Sequence, residues 1–503
     1  MQSTSNSFLL VLKKYFLRNH DDWKFWIGLA VVFKSAIFFL QLSQFNATEI
    51  PGFIGAMGGD TNSYLTPVEN LIVGGTYAPD YRMPGYAFLY FPLLMIFQKA
   101  TACNIMIILQ VFMASASVYL LSLTARRCFK SDALFYLVFY LYAVSSYANL
   151  FDAFLLTDSF CTSALIFSAY FFSQFTERRL SRYLVASGLF LTWSVFLRPV
   201  YLPLLLFYCV VLLYEALIVK RSKASVVRNV AIFIIPFALT ESAWMVRNYI
   251  VYKKLVPLTQ SFYYPEAEKT YTIELIDFVK AWGGDRTWWN PNAEIRWFGL
   301  VESQEGRTSP LETNATLPEN IFTSRFNIDS LRMIKNYIQK INEKETPADV
   351  ANAYTTLVKT KLNAYTLSVK EEKPFLYYIE APILLLKKFF VHSGTYNLFN
   401  RPFRELSYLE LLVKIFYSMI YAGTIVFGVA GIFWMGIRKT IEPLPVFIVA
   451  LCLYSILLFP FVLRQIEFRY FVPAYPFMTI IACYFLLTLG RILKGRFSKY
   501  LFK

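Results

Sequence analysis

Charged residues are scarce in this sequence, and histidine is almost absent. Only 16% of the 503 residues are Asp, Glu, Lys or Arg, whereas soluble proteins contain about 25%. The two histidines, His20 and His392, are too few and too far apart for a histidine metal site. The six cysteines form no CxxC pair and lie in or beside apolar segments. We therefore interpret them as packing residues, not as metal ligands or disulfides.

Apolar residues make up 56% of the chain and come in blocks of about 20 residues, the length that a helix needs to cross a bilayer. This pattern predicts an all-α polytopic membrane protein. Ten blocks are long enough to span: about 25–44, 103–124, 132–150, 154–174, 182–198, 200–219, 227–246, 409–435, 443–463 and 470–490.

The block at about 84–98 decides the predicted topology, because it is shorter than the others and interrupted by Pro92. With the N-terminus in the cytoplasm and this block outside the membrane, every short basic loop falls on the cytoplasmic side, as the positive-inside rule requires. We therefore predict ten spans, with 84–98 as a juxtamembrane helix on the outer face. The net charge of +16 lies at block ends, so we predict no nucleic-acid partner.

The same topology divides the chain into three predicted parts. Residues 1–246 form an N-terminal transmembrane catalytic module that includes the outer loop 45–102. Residues 247–408 form an extracytoplasmic segment, and residues 409–503 form the C-terminal spans with a basic cytoplasmic tail. The middle segment is predicted to be helical, and its candidate features are helices at 328–343 and 346–371, an amphipathic bilayer-surface helix at 375–391, and an aromatic patch of Trp282, Trp288, Trp289 and Trp297.

Asp60 is the first candidate for chemistry. It follows two glycines in GGDTNSY, and a helix is predicted to start just after it. A carboxylate at a membrane interface is suited to act as a general base that removes a proton from an acceptor hydroxyl. The alternative is an N-cap aspartate for that helix.

Asp158, in LLTDSF, is the second candidate acid, with Asp152 just before it. Acids beside apolar spans are costly unless they are paired or hydrated, so each is a candidate functional residue. A helix cap is again the alternative. Lys34, inside the first span, is interpreted as one half of a structural ion pair.

Arginines at the predicted outer ends of spans form a third group: Arg82, Arg198, Arg247, Arg464 and Arg469. The positive-inside rule disfavours them there. A guanidinium group is suited to a phosphate held at the membrane surface, and several on one face favour an anionic ligand. Snorkelling to ordinary lipid headgroups is the alternative for any one of them.

In this order the motifs resemble a known group. They are the Asp60 loop with Tyr64, R-x-P-G-Y from Arg82, L-T-D-S around Asp158, L-R-P at Arg198, W-x-x-R-N-Y around Arg247, and F-R-Y-x-x-P-x-x-P from Phe468. The chain resembles the GT-C superfamily of polyprenyl-phosphate-sugar glycosyltransferases, in particular the family 39 branch with protein O-mannosyltransferases and the lipid A aminoarabinose transferase. The resemblance covers residues 20–260 well and the last hundred weakly.

The resemblance implies a GT-C-type bundle and an inverting transfer of a sugar from a polyprenyl-phosphate donor to an extracytoplasmic glycan, lipid or protein. It implies Asp60 and Asp158 as the catalytic acids. Many relatives carry two acids at the first position, whereas this chain has only Asp60. We therefore predict no metal ligands, and a divalent metal stays open as a cofactor.

The remaining predicted site residues fall into two sets. The residues predicted to bind the donor phosphate are Arg82, Arg198, Arg247 and Arg469. Those predicted to bind substrate are Tyr64, Tyr86 and Glu241. The predicted location is a bacterial inner membrane with the site facing the periplasm, in contact with membrane lipids. The competing interpretations are a transporter or flippase for a lipid-linked sugar or other anionic lipid, and a non-catalytic scaffold.

Overall fold

The chain is predominantly helical in the part that the computed structural model describes. That part comprises residues 19–42, 44, 50–79, 82–218, 222–259, 271–284, 317–343, 346–396, 398–399 and 401–501. Besides helices and turns, these residues contain two isolated β-bridges, Ala56 with Phe154 and Thr323 with Phe326. The all-α prediction is confirmed.

The helices are numbered in chain order. Those before residue 260 are α1 (Trp23–Leu42), α2 (Thr61–Gly74), α3 (Ala87–Ile96), α4 (Lys99–Phe129), α5 (Asp132–Val144), α6 (Thr157–Arg178), α7 (Ser181–Leu197), α8 (Pro203–Ile218) and α9 (Lys223–Tyr252). Those after it are α10 (Thr272–Ala281), α11 (Ile328–Asn342), α12 (Ala348–Glu372), α13 (Ala381–Phe390), α14 (Tyr408–Ile437), α15 (Pro443–Leu457) and α16 (Tyr475–Leu501).

Seven helical segments within the described ranges are long and apolar enough to cross a membrane. They are Trp23–Leu42, Lys99–Phe129, Pro199–Ile218, Lys223–Tyr252, Tyr408–Ile437, Pro443–Leu463 and Tyr475–Lys494. Each coincides with one of the ten predicted blocks. These segments indicate an integral membrane protein.

The other three predicted blocks give helices that do not meet the same requirements. The α5 helix has 13 residues and α7 has 17. At 1.5 Å per residue, α5 is about 20 Å long, short of the roughly 30 Å hydrocarbon core. The α6 helix has 22 residues but includes Asp158 and several serines and threonines. The ten-span count therefore stays a prediction. The 84–98 block forms the ten-residue helix α3.

A buried segment of turns, residues 145–156, explains why α5 is shorter than its block. Every residue of this segment except Phe154 is buried. Buried backbone needs hydrogen-bond partners. Gln110 on α4 supplies some of them, because its amide nitrogen donates to the carbonyls of Asp152 at 3.2 Å and Phe154 at 2.8 Å. The Asn149 amide donates to the Ser145 carbonyl at 2.7 Å.

The chain divides into two compact units. The first comprises residues 1–260, 393–453 and 472–503, and the second comprises 261–392 and 454–471. The first unit thus contains the predicted catalytic module together with most of the C-terminal helices. The boundary falls near residues 260 and 392, where the sequence pattern favoured 246 and 408.

The second unit has its own hydrophobic core. Helices α10, α11 and α12 pack around Phe278, Phe326 and Tyr365, with the rings of Phe326 and Tyr365 4.9 Å apart. The predicted helices at 328–343 and 346–371 are confirmed as α11 and α12. Trp282 belongs to this core. The predicted patch residues Trp288, Trp289 and Trp297 lie outside the described residues.

The predicted amphipathic helix at 375–391 is present in the second unit as a helical turn, Leu376–Glu380, that leads into α13. One face is buried through residues such as Leu385 and Phe389. The other face exposes a stripe of large apolar side chains, Phe375, Tyr378, Ile379, Ile383 and Leu384. The Phe389 ring lies 6.3 Å from that of Phe459, near the end of the segment Pro443–Leu463, which is long and apolar enough to cross a membrane.

Candidate functional site

Asp60 stands at the N-cap position of α2, so the predicted helix start is confirmed. Its side chain makes no capping hydrogen bond. The turn before it is held by Thr61, whose hydroxyl accepts a hydrogen bond from the Gly58 amide at 2.9 Å and donates to the Leu155 carbonyl at 3.1 Å. Asp60 therefore occupies the N-cap position, but its carboxylate does not cap the helix.

The carboxylate of Asp60 pairs with Arg82. Nη2 of Arg82 lies 2.8 Å from Oδ1 of Asp60, and each side chain is 21% exposed. Nε of Arg82 donates to the Ser63 hydroxyl at 2.9 Å. The guanidinium group also lies over the Tyr64 ring, 4.5 Å from its centre. Three contacts thus fix the planar group, and one of them engages the candidate base.

Tyr64 connects this pair to the second candidate acid. Its hydroxyl lies 3.4 Å from the hydroxyl of Thr157, which accepts a hydrogen bond from Nε of Arg198 at 3.2 Å. Nη2 of Arg198 lies 2.7 Å from Oδ1 of Asp158. The Asp158 side chain is 1% exposed and sits in the first turn of α6, where the helix dipole favours a negative charge. A continuous polar chain therefore runs from Asp60 to Asp158.

The turn between Arg82 and α3 lies against the end of α7, next to Arg198. The Gly85 amide donates to the carbonyl of Phe196 at 3.0 Å, and the indole nitrogen of Trp193 donates to the Gly85 carbonyl at 3.0 Å. A Cβ atom at position 85 would lie 2.4 Å from the carbonyl carbon of Phe196. Only glycine permits this approach of the turn to the end of α7.

Tyr86 is almost fully buried behind Tyr64. The two ring centres are 5.5 Å apart, and the Tyr86 ring lies 6.1 Å from that of Phe160. Burial raises the pKa of the Tyr86 phenol well above its ordinary value. The hydroxyl has no hydrogen-bond partner in the described part of the chain. Tyr86 thus packs against the buried side of the Tyr64 ring.

Arg247 lies in the last turns of α9, which ends at Tyr252. Its guanidinium carbon is 4.8 Å from the ring centre of Trp244, 5.2 Å from Tyr252 and 5.5 Å from Tyr77. Nη1 donates to the Asn248 side chain at 2.9 Å, whereas Nη2 is buried without a hydrogen-bond partner among the described residues. Burial also raises the pKa of the Tyr77 phenol, against the effect of the Arg247 charge.

A small cleft of about 10 Å³ lies between Arg82 and Arg247. That volume holds about one water molecule, so a larger ligand group enters only when the side chains and the loop around it move apart. Its walls combine two arginines with aromatic and loop residues: Pro79, Arg82, Trp244, Arg247, Asn248, Tyr252, Val256, Leu258 and Thr259.

Glu241 supports Leu258, one of the residues that line this cleft. Its carboxylate accepts a hydrogen bond from the Leu258 amide at 2.7 Å, and the Trp244 indole donates to the Leu258 carbonyl at 2.6 Å. Leu258 has a φ of +55°, a left-handed conformation that costs energy for a branched side chain. Glu241 is buried, so the structure places it in support of the loop.

Two other predicted arginines belong to the second unit, each with partners there. Nε of Arg469 lies 2.6 Å from the Glu467 carboxylate. Nη2 of Arg464 donates to the Tyr377 carbonyl at 2.6 Å, and its guanidinium carbon lies 3.8 Å from the centre of that ring. The site of the first unit therefore contains Arg82, Arg198 and Arg247 from the predicted set.

Lys34 has the structural partner that its position in a span implied. Nζ lies 2.9 Å from Oδ2 of Asp152, and both side chains are buried. Asp152, noted in the sequence only as a neighbour of Asp158, is therefore paired away from the polar chain. Within the described ranges, no group of three or more His, Cys, Asp or Glu side chains is placed to hold a metal ion.

No protein-family model matches this chain, and no curated protein matches it in sequence. The resemblance in its motifs thus stands on the residues themselves.

Sequence reasoning missed three residues of the site. Thr157 bridges Tyr64 and Arg198, and its signal was its place directly before Asp158 in the L-T-D-S motif. Trp193 holds the Gly85 carbonyl from α7. Tyr77 lies against Arg247 from a loop that carries no apolar periodicity.

Proposed function

We propose that this protein is a membrane glycosyltransferase of the GT-C type. It transfers a sugar from a polyprenyl-phosphate donor to an extracytoplasmic acceptor, with inversion at the anomeric carbon. The observation that carries the proposal is the polar chain from Asp60 through Arg82, Tyr64 and Thr157 to Arg198 and Asp158. The chain joins a partly exposed carboxylate to guanidinium groups suited to a phosphate.

The donor phosphate binds between Arg82 and Arg247 and widens the narrow cleft that both side chains line. Nη2 of Arg247 is the group best placed to take a new acceptor, because it is buried and no described residue accepts from it. A buried donor without an acceptor costs free energy that a ligand oxygen recovers. Guanidinium groups bind phosphate oxygens in a fixed, planar geometry. The apolar tail of the donor then lies in the surrounding lipid.

Arrival of the phosphate changes the partners of Asp60. In the free protein Arg82 neutralises the Asp60 carboxylate at 2.8 Å. A phosphate bound in the cleft competes for the same guanidinium group. Loss of that contact leaves Oδ1 of Asp60 able to accept a hydrogen bond from an acceptor hydroxyl instead. Donor binding thereby prepares the base.

The transfer is a single displacement. Asp60 takes the proton of the acceptor hydroxyl as its oxygen forms a bond to the anomeric carbon. The bond from that carbon to the phosphate oxygen breaks, and its electron pair leaves with the polyprenyl phosphate. Arg82 stabilises the charge that develops on this leaving group, and Arg247 holds the phosphate throughout the reaction. Asp158, held by Arg198, keeps the helix start and Thr157 in place.

A direct test is to incubate the purified full-length protein in lipid with radiolabelled polyprenyl-phosphate sugars and to measure free polyprenyl phosphate. The proposal predicts that lipid phosphate accumulates when an acceptor is present. A protein that moves the labelled lipid across vesicles without breaking the glycosidic bond would be a flippase. That result would contradict the proposal, as would the absence of both activities with all donors tested.

A further inference from the structure

The ion pair between Lys34 and Asp152 is deeply buried. Lys34 lies in the middle of the membrane-spanning helix α1, and its side chain is 1% exposed, against 6% for Asp152. Charges in membrane segments are costly and usually mark a pathway or a binding site. Here the two charges pair with each other, so we look for a role other than ligand binding.

Asp152 divides its carboxylate between two elements. Oδ2 accepts from Lys34 on α1, and Oδ1 accepts from the Ser159 hydroxyl at 2.6 Å. Ser159 follows Asp158 directly and lies in the first turn of α6. One carboxylate therefore joins a spanning helix to the helix start that carries Thr157 and Asp158.

The same segment of turns also holds the loop of Asp60. The Ala56 amide donates to the Ala153 carbonyl at 2.8 Å, and the Leu155 amide donates to the Ala56 carbonyl at 3.0 Å. The hydroxyl of Thr61, next to Asp60, donates to the Leu155 carbonyl. Residues 152–159 thus connect Lys34 to both candidate acids.

We infer that Lys34 and Asp152 are positioning residues: their ion pair anchors segment 145–156 and thereby sets the placement of Asp60 and Asp158. The inference rests on the proposed function for its catalytic consequence, whereas the anchoring itself does not depend on it. Neither residue contacts the cleft between Arg82 and Arg247. Their effect is therefore expected on the rate of transfer and not on donor binding.

The decisive variant is Lys34→Met/Asp152→Asn, which removes both charges together. Removal of one alone leaves an unpaired buried charge and risks unfolding, whereas replacement of a buried pair by neutral residues is often tolerated. The Asp152→Asn change keeps a side-chain oxygen that accepts from Ser159, so only the link to α1 is lost. The matched control is Arg126→Gln/Asp132→Asn, which neutralises an exposed pair at the α4–α5 turn.

Two measurements on the full-length protein test the inference. The amide hydrogen–deuterium exchange rate in peptides covering 145–160 should rise about tenfold in the double variant, because the segment opens more easily without the ion pair. Exchange in α9 should not change. The value of kcat should fall about 10- to 100-fold, as small misplacements of catalytic groups do, with the donor KM within about twofold. The control variant should match the wild type in exchange rate, kcat and donor KM.

If residues 145–160 exchange as slowly in the double variant as in the wild type, the pair does not anchor the segment. If the double variant keeps the wild-type kcat, the pair has no positioning role. A shift confined to KM would overturn it as well, since that result assigns the pair to donor binding. If the wild-type protein shows no transfer, the proposed function fails, and the exchange measurement alone decides whether the pair anchors the segment. The two failures are therefore distinguishable.

Discussion

Arg82 lies 2.8 Å from Asp60, so the guanidinium group proposed to bind phosphate is also the partner of the carboxylate proposed to take a proton. The free protein holds the two groups as a partly exposed ion pair. Pairs of this kind contribute little to stability, about 0–1 kcal/mol. Exchange of this ion pair for a phosphate contact therefore costs little free energy.

Substitution of Arg82 should separate charge from geometry. Arg82→Lys keeps a cation but loses the fork that contacts Asp60 and Ser63 together, and Arg82→Met loses both. We expect kcat to fall about 100- to 1,000-fold in Arg82→Met, the usual loss when a group that stabilises developing charge is removed. Arg82→Lys should fall between Arg82→Met and the wild type. Equal rates in all three proteins would remove Arg82 from the mechanism.

Arg247 should act mainly on donor binding. Arg247→Gln removes the charge that the aromatic rings of Trp244 and Tyr252 surround. Hydrogen bonds to charged groups contribute about 1.5–3 kcal/mol, so the donor KM should rise about 10- to 100-fold. Arg228→Gln on the exposed start of the same helix is the control. A donor KM that responds equally to both substitutions would point to a nonspecific charge effect.

Gly85 should tolerate no side chain. Gly85→Ala places a Cβ atom 2.4 Å from the Phe196 carbonyl carbon. Overpacking of this kind costs about 1–3 kcal/mol, so the melting temperature should fall and transfer should decrease with it. Gly59→Ala is the matched control, because a Cβ atom there has no neighbour within 4 Å. An unchanged melting temperature in Gly85→Ala would show that the turn can shift without cost.

The exposed stripe on α13 should contact lipid. Its apolar residues face outward beside a membrane-spanning segment, and two exposed lysines, Lys387 and Lys388, follow them along the helix. A fluorescent label on Ile383→Cys should be quenched by brominated lipids several-fold more than a label on Arg332→Cys, on α11 of the same unit. The native cysteines are all buried, which limits background labelling. Equal quenching at both positions would mean that the stripe faces water or protein.

The sequence predicted the parts of the fold that depend on local pattern. Seven of the apolar blocks coincide with helices long and apolar enough to cross a membrane, and the helices predicted in the polar middle segment are present as α11 and α12. The turn segment 145–156 was not predicted, because it is nearly as apolar as a helix and its hydrogen bonds come in part from Gln110, which is distant in sequence. The boundary of the second unit depends on packing that no local pattern reveals.

The candidate site was predictable as a set of residues but not as a set of contacts. Short motifs singled out Asp60, Arg82, Asp158 and Arg198, which the structure brings together. Their pairing depends on the close approach of Gly85 to α7. Arg469 carries the same local signal as the others, yet it belongs to the second unit, where Glu467 neutralises it. The local sequence shows which residues are charged, whereas the tertiary fold determines which carboxylate each arginine pairs with.

Substitution of Asp60 tests the account most directly. The measurement is the release of polyprenyl phosphate from a labelled donor by Asp60→Asn, compared with the wild type and with Glu69→Gln on the same helix. A general base contributes about 100- to 10,000-fold, so Asp60→Asn should lose at least about a hundredfold in rate while its melting temperature and donor binding stay near the wild type. A folded Asp60→Asn protein with the wild-type rate would contradict the account.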